Sequence, residues 1–293
     1  MSCIGHENIR NELTKVVASG SISHAYLFVG KDGIGKKKVA LEFAKNVLCL
    51  ETQSGVACNK CDACLKFNSN PDLKLLMPEK GVIKVDEVRK FTSELFLLPT
   101  VSKRKVFIID DADSMNEQAQ NALLKVLEEP PLYATLILIT SNKEKLLRTI
   151  KSRVAEISFD ALSKDELKMI LEENNVEISN DAIEYANGSA KRAIDFINDE
   201  TFEISKKLAD VILERDFLKL NKKFEEIKSD KSLKANIEHI LKNTMQIFFY
   251  KLKKDINFNF EIINMLEKTI QNIRRNANVD LALDLFMLEI CKI

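Results

Sequence analysis

Apolar positions along the first half of the chain fall into short unbroken runs separated by stretches of helical spacing. His24-Ala-Tyr-Leu-Phe-Val29 is a brief apolar and aromatic run, and the helical stretch Lys37 to Leu48 follows soon after it. Lys105-Val-Phe-Ile-Ile109 and Ala134-Thr-Leu-Ile-Leu-Ile-Thr140 repeat the strand pattern. The last is apolar throughout, as a parallel strand covered on both faces should be. Between them Asn116 is placed to cap a helix that carries Ala122, Leu123 and Leu127 and stops at Pro130-Pro131. Strands alternating with helices predict a doubly wound α/β domain. After about residue 157 only the helical period remains. Ser163-Lys-Asp-Glu166 is a capping box ahead of Leu167, Ile170 and Leu171, and a second helix is expected over Asn180 to Ala186, ending near Gly188. From about residue 204, Leu233, Ile237, Ile240 and Leu241, then Ile262, Ile263, Leu266, Ile270 and Ile273, recur at helical spacing, with Asn278 set to cap the last helix. The expected order is an α/β domain over 1–157, a small helical domain over 158–203 and a larger helical domain over 204–293, without internal repeats.

Composition narrows the class. The 293 residues are 45% hydrophobic and 30% charged, ordinary for a globular protein, and 44 basic residues balance 44 acidic ones. Zero net charge disfavours a free-standing nucleic-acid binder, so any DNA contact should be local or shared with partners. Polar sequence directly after Met1 argues against a signal peptide, and no apolar run nears the ~18 residues of a membrane span. A cytoplasmic location is expected. There, clustered cysteines suggest metal before disulfides.

Two motifs carry chemistry. Gly30-Lys-Asp-Gly33-Ile-Gly35-Lys36, between a strand and a helix, is a phosphate loop: its glycines turn backbone N–H groups toward phosphates, and Lys36 reaches the terminal ones. A glycine turn before a helix is the bland alternative, and the strand–loop–helix context decides against it. The next position should carry the Ser or Thr hydroxyl that holds Mg²⁺, and here it is Lys37. An ammonium about 4 Å from a divalent cation meets a repulsion of roughly 8 kcal/mol at an effective dielectric near 20, as an upper scale. Hydrolysis therefore loses support, while nucleotide binding stays open. Asp110, at the end of its strand, suits a metal-coordinating carboxylate, and Asp111 stands where a water-orienting glutamate would be one methylene longer. The second motif is Cys49, Cys58, Cys61 and Cys64. Four thiolates at these spacings satisfy tetrahedral Zn²⁺ and leave no position for water, which predicts a structural zinc site. Cys3 and Cys291 lie apart and read as ordinary thiols.

These residues together resemble the clamp-loader AAA+ subunits of bacterial DNA polymerase III over nearly the whole chain. The resemblance rests on Ser23-His-Ala-Tyr-Leu-Phe28 before the phosphate loop and on the cysteine module after it. Asn121-Ala-Leu-Leu-Lys-Val-Leu-Glu-Glu-Pro-Pro131 and Ser152-Arg153 complete it. It implies an AAA+ domain with a zinc module, a helical lid and a helical collar through which five subunits form a ring. Motor subunits (tau/gamma-like) of that family keep Thr and Glu where this chain has Lys37 and Asp111, and commonly carry a long C-terminal extension, whereas this sequence ends at Ile293. The resemblance therefore implies the delta-prime type, a stator that does not hydrolyse ATP, with an active motor subunit as the alternative. It implies that Arg153 acts as an arginine finger on a neighbour's nucleotide, although the family's Ser-Arg-Cys reads Ser-Arg-Val154 here. Asn142 matches the first sensor position. Lys191 stands at the second sensor, where an arginine is usual and where lysine cannot make bidentate phosphate contact. The implied partners are motor subunits, a delta subunit, the sliding clamp and, through the assembly, primed DNA, with no membrane. The implied ligands are structural Zn²⁺ and, at the altered loop, ATP or ADP held weakly or not at all.

Overall fold

The computed structural model describes residues 3–79, 81–254, 260–275 and 277–290, so Cys291 lies outside the described residues. By its contacts the chain divides into two compact units. The first runs to Glu173 and takes back Gly188–Lys191, and the second holds Asn174–Asn187 and everything from Arg192.

The first unit is built on five parallel strands: β1 (Ala25–Val29), β2 (Leu73–Leu76), β3 (Lys105–Ile109), β4 (Ala134–Thr140) and β5 (Ala155–Ser158). Their spatial order is β2-β3-β4-β1-β5. Ala25 pairs with Leu136, Lys105 with Ala134, Leu73 with Val106 and Tyr26 with Ala155. The three central strands are those the apolar runs predict, and β3 and β4 are buried along their whole length. The edge strands β2 and β5 have four residues each, partly polar and half exposed, so no apolar run announces them.

Helices cover both faces: α1 (Glu7–Ser19), α2 (Lys36–Leu48), α3 (Asp62–Leu65), α4 (Val85–Leu95), α5 (Glu117–Glu128), α6 (Arg148–Lys151) and α7 (Lys164–Glu173). Alternation along the strands separates the faces. Leu27, Phe107, Ile109, Leu136 and Leu138 join Val88, Phe91 and Leu95 of α4 and Leu123, Val126 and Leu127 of α5 in one core. On the other face Tyr26 meets Phe43 of α2 edge-on at 5.2 Å. The predicted caps form. Asn116 Oδ1 accepts from Ala119 N–H at 2.8 Å, and the Ser163–Glu166 box closes reciprocally at 2.7 and 3.2 Å.

One buried carboxylate holds the approach to β3. Asp72, fully buried, accepts backbone N–H bonds from Thr100, Val101 and Ser102 at 2.7–2.8 Å. Burial opposes its ionisation, but those three donors and the Lys105 ammonium prevail and hold it below the usual carboxylate range. Its contribution to stability is therefore complete above the ordinary aspartate value of 3.8 and is lost as pH falls below it. Asp72→Asn should cost about 3 kcal/mol near neutral pH, read from urea unfolding, and the gap to wild type should narrow in acid.

The second unit is all helical: α8 (Asn180–Ala186), α9 (Ala190–Asn198, whose first two residues belong to the first unit), α10 (Phe202–Glu214), α11 (Phe217–Ser229), α12 (Lys231–Ala235), α13 (Ile237–Lys254), α14 (Phe260–Arg274) and α15 (Val279–Ile290). Ser179 caps α8, and Asn278 Oδ1 accepts a hydrogen bond from Leu281 N–H. The core gathers Leu208, Ile212, Phe224, Ile240, Leu241, Phe248, Ile263, Leu266 and Phe286. Phe196 stacks on Phe202 at 4.6 Å. No helix among the described residues is long and apolar enough to cross a membrane.

Candidate functional site

The carboxyl ends of β1, β3 and β4, where ligands meet open parallel sheets, carry the predicted nucleotide-site residues except Lys191, which lies at the start of α9. After Val29 the chain turns through Gly33 (φ 74°) and Gly35 (φ 101°), in a region that disfavours side chains, and Gly35 caps α2. A Cβ on Gly33 would lie 2.4 Å from Ser189 Oγ and 2.5 Å from Lys191 Cβ, so glycine is also required by close approach. The loop is tied down from two further places. His6, ahead of α1, donates through Nε2 to Ile34 O at 2.7 Å, and Lys191 N–H donates to Gly33 O at 3.2 Å.

The three lysines of the site are each held by the chain's own acceptors. Lys36, 6% exposed, folds back and donates to Gly30 O and Lys31 O, both at 2.6 Å. Burial lowers its ammonium below the usual lysine value, against the pull of Asp32, Asp110, Asp111 and Asp113. Lys37 Nζ lies 3.3 Å from Asp110 Oδ2 and also meets the Met77 sulfur. Lys191 Nζ pairs with Asp32 Oδ2 at 3.1 Å. Asp32 is a partner that sequence reasoning missed, because it occupies a variable position inside the loop motif. Asp111 takes a left-handed backbone (φ 50°). Partial burial of its carboxyl, and then Asp110, Asp32 and Asp113, push it above its ordinary value. Asp113 accepts from the Thr140 hydroxyl at 2.7 Å, which joins the ends of β3 and β4. Asn142 spends its side-chain oxygen locally on Glu144 N–H at 3.1 Å.

Mg²⁺ does not fit this arrangement. The hydroxyl that would ligate it is replaced by an ammonium, and that ammonium already takes the carboxylate that would be its second protein ligand.

Arg153 sits apart from this loop, just before β5. Its guanidinium donates to Thr149 O at 2.9 Å and pairs with Glu128 Oε1 at 3.0 Å, at the end of α5. Glu128 belongs to the two-glutamate, two-proline segment recognised in the sequence, but its partner there was not evident. The cysteine module hangs from the end of α2. Cys49 caps that helix and Cys61 precedes α3. All four Sγ atoms lie within 4.8 Å of one another, and Cys49 and Cys61 are 3.9 Å apart, close to the ~3.8 Å edge of a tetrahedron with 2.3 Å metal–sulfur bonds. The donor set therefore fits a metal ion. Burial and the neighbouring thiols push Cys64 up to about 12, while N–H groups of Leu50 and Cys64, with those thiols, overcome burial and hold Cys61 at about 6. Two contacts pin the module to the domain: Asn46 Oδ1 accepts from Ala57 N–H at 2.9 Å, and a Cβ on Gly55 would lie 2.1 Å from Thr14 O of α1.

The family model described as DNA polymerase III, delta subunit, matches residues 5–163. The chain belongs to that family. It is thus a member of the clamp-loader AAA+ family of DNA polymerase III subunits, and the phosphate loop, the cysteine module and Arg153 all lie within the matched span. The DNA polymerase III subunit gamma of Buchnera aphidicola is 31% identical over 203 residues, covering 66% of this chain and 56% of that protein. The DNA polymerase III subunit delta' of Pseudomonas aeruginosa is 40% identical over 138 residues, 46% of this chain and 42% of that protein. The clamp-loader chain therefore spans about half the length of these curated relatives. A solved DNA polymerase III gamma subunit-related protein of Thermotoga maritima superposes with a TM-score of 0.57, covering 97% of this chain and 98% of the other. At 21% identity that likeness is one of fold.

Proposed function

We propose that this chain is the delta-prime type of clamp-loader subunit: a stator that does not hydrolyse ATP and that lends Arg153 to a neighbouring ATPase. The observation that carries this reading is the Lys37–Asp110 ion pair at 3.3 Å, which removes both protein ligands of the catalytic metal. Asp111 in the place of a glutamate and Lys191 in the place of a sensor arginine point the same way. The residue needed by a neighbour, Arg153, is kept and is held on the surface. In this reading the Cys49, Cys58, Cys61 and Cys64 thiols hold a structural zinc. Residues 158–203 serve as the lid and 204–293 as the collar.

The collar assignment is supported by α15. Leu281, Leu285 and Leu288 are half or more exposed at helical spacing, while Leu283, Phe286, Met287 and Ile290 on the other side are buried. The partners are motor subunits and a delta subunit in a five-membered ring, with the sliding clamp and primed DNA reached through the assembly. A cytoplasmic setting belongs to the same reading, since it is where such a DNA polymerase III subunit would work.

A second reading, an active motor subunit, is favoured by relatives named gamma, which match over a longer stretch than the delta' relative does. ATP turnover separates the two. The purified chain is expected to hydrolyse ATP at background rate, measured by phosphate release. Multiple turnovers that vanish in Lys36→Ala would instead establish the motor.

A further inference from the structure

In P-loop enzymes the hydroxyl after the loop lysine and the aspartate at the end of the neighbouring strand hold a divalent cation beside the phosphates. Here those two positions hold each other. The Asp110 side chain is 19% exposed and has Lys37 Nζ 3.3 Å from Oδ2. The loop's own acidic residue, Asp32, is matched in the same way by Lys191 at 3.1 Å. Asp110 and Asp32 thus each already carry an ammonium supplied by the chain.

We infer that Lys37 is a built-in counter-ion, standing in the place of the divalent cation, and that it is the side chain that keeps metal–nucleotide complexes out of this loop. The inference rests on the non-hydrolysing reading and narrows it to one residue. The rest of the loop retains its phosphate-binding form: Gly33 and Gly35 keep the left-handed turns, and α2 presents a helix N-terminus thirteen residues long. Lys36 keeps the position from which it would reach phosphate once released from Gly30 O and Lys31 O. Lys37→Thr removes the repelling charge, frees Asp110 and supplies the missing hydroxyl without altering any of these groups.

The test is a calorimetric titration of the full chain with ATP, in Mg²⁺ and in EDTA. Wild type is expected to bind ATP no tighter with Mg²⁺ than without it. Lys37→Thr, and Lys37→Ser as a second variant should the first fold poorly, are expected to gain about tenfold or more in affinity on adding Mg²⁺. Asp110→Asn placed on Lys37→Thr should abolish that gain, which a merely structural role for Lys37 would not predict. The assignment is overturned if Mg²⁺ tightens binding to wild type as much as to Lys37→Thr. It is equally overturned if folded Lys37→Thr and Lys37→Ser show no response to Mg²⁺. Turnover is judged separately. An inactive wild type whose ATP binding is strengthened by Mg²⁺ would sink this assignment and leave the stator reading standing. A wild type that hydrolyses ATP would sink the stator reading itself.

Discussion

Arg153→Ala is expected to leave the chain folded and to lower the DNA-stimulated ATPase of a reconstituted clamp loader by about 10³-fold or more. That magnitude is the lower end of what arginine fingers supply in other phosphoryl-transfer systems, where they stabilise charge on the transferring phosphoryl group. The stability cost should be small. The guanidinium gives up one pairing with Glu128, whose side chain is about half exposed, and a bond to Thr149 O. Exposed pairs of this kind are worth about 0–1 kcal/mol. Circular dichroism melts should therefore nearly superimpose while the rate collapses. An unchanged ATPase in the reconstituted assembly would remove the finger role.

Metal analysis of the purified chain should return one zinc per molecule, and removing that zinc is expected to destabilise the first unit severely. Structural zinc contributes about 10–16 kcal/mol of binding free energy in small peptides, and that energy is folding energy when no site exists in the unfolded chain. The effect should spread beyond the loop, because the module is not an isolated appendage. Cys49 ends α2, Asn46 on that helix holds Ala57, and Gly55 lies against Thr14 O of α1. Cys61→Ser should lose the metal and lower the melting temperature, whereas Cys3→Ser, at a buried thiol outside the cluster, should keep the zinc. A metal-free wild-type chain of undiminished stability would refute the site.

Much of the scaffold was readable without coordinates. Central parallel strands must be apolar on both faces, so β1, β3 and β4 stand out as runs. The caps at Asn116, Ser163 and Asn278 lie within three residues of the N–H groups they serve, and spacing alone reveals such bonds. The edge strands β2 and β5 were not readable. Leu73–Leu76 and Ala155–Ser158 are short, each has one covered neighbour in the sheet, and only pairing distinguishes them from loop. The apolar stripes of the last helices posed a different difficulty. Core and surface leucines alternate at the same helical period, so Leu283 and Leu285 look alike until burial separates them.

By itself the sequence determined which chemistry is present: a phosphate loop with lysine in place of a metal-binding hydroxyl, four thiols at metal spacing, and an arginine before β5. What each charged side chain does with its charge was decided by tertiary structure. Lys37 had two partners open to it, a phosphate or a carboxylate, and the end of β3 brings it Asp110. Lys191 meets Asp32 across 159 positions of chain, and Arg153 meets Glu128 only because α5 ends beside β5's entry. The reason is physical. Flexible cationic side chains reach any acceptor within several ångströms, so their pairing depends on which strand ends and helix ends the packed sheet places together. The lysine that reads in sequence as a missing ligand is, in the folded domain, a charge already matched.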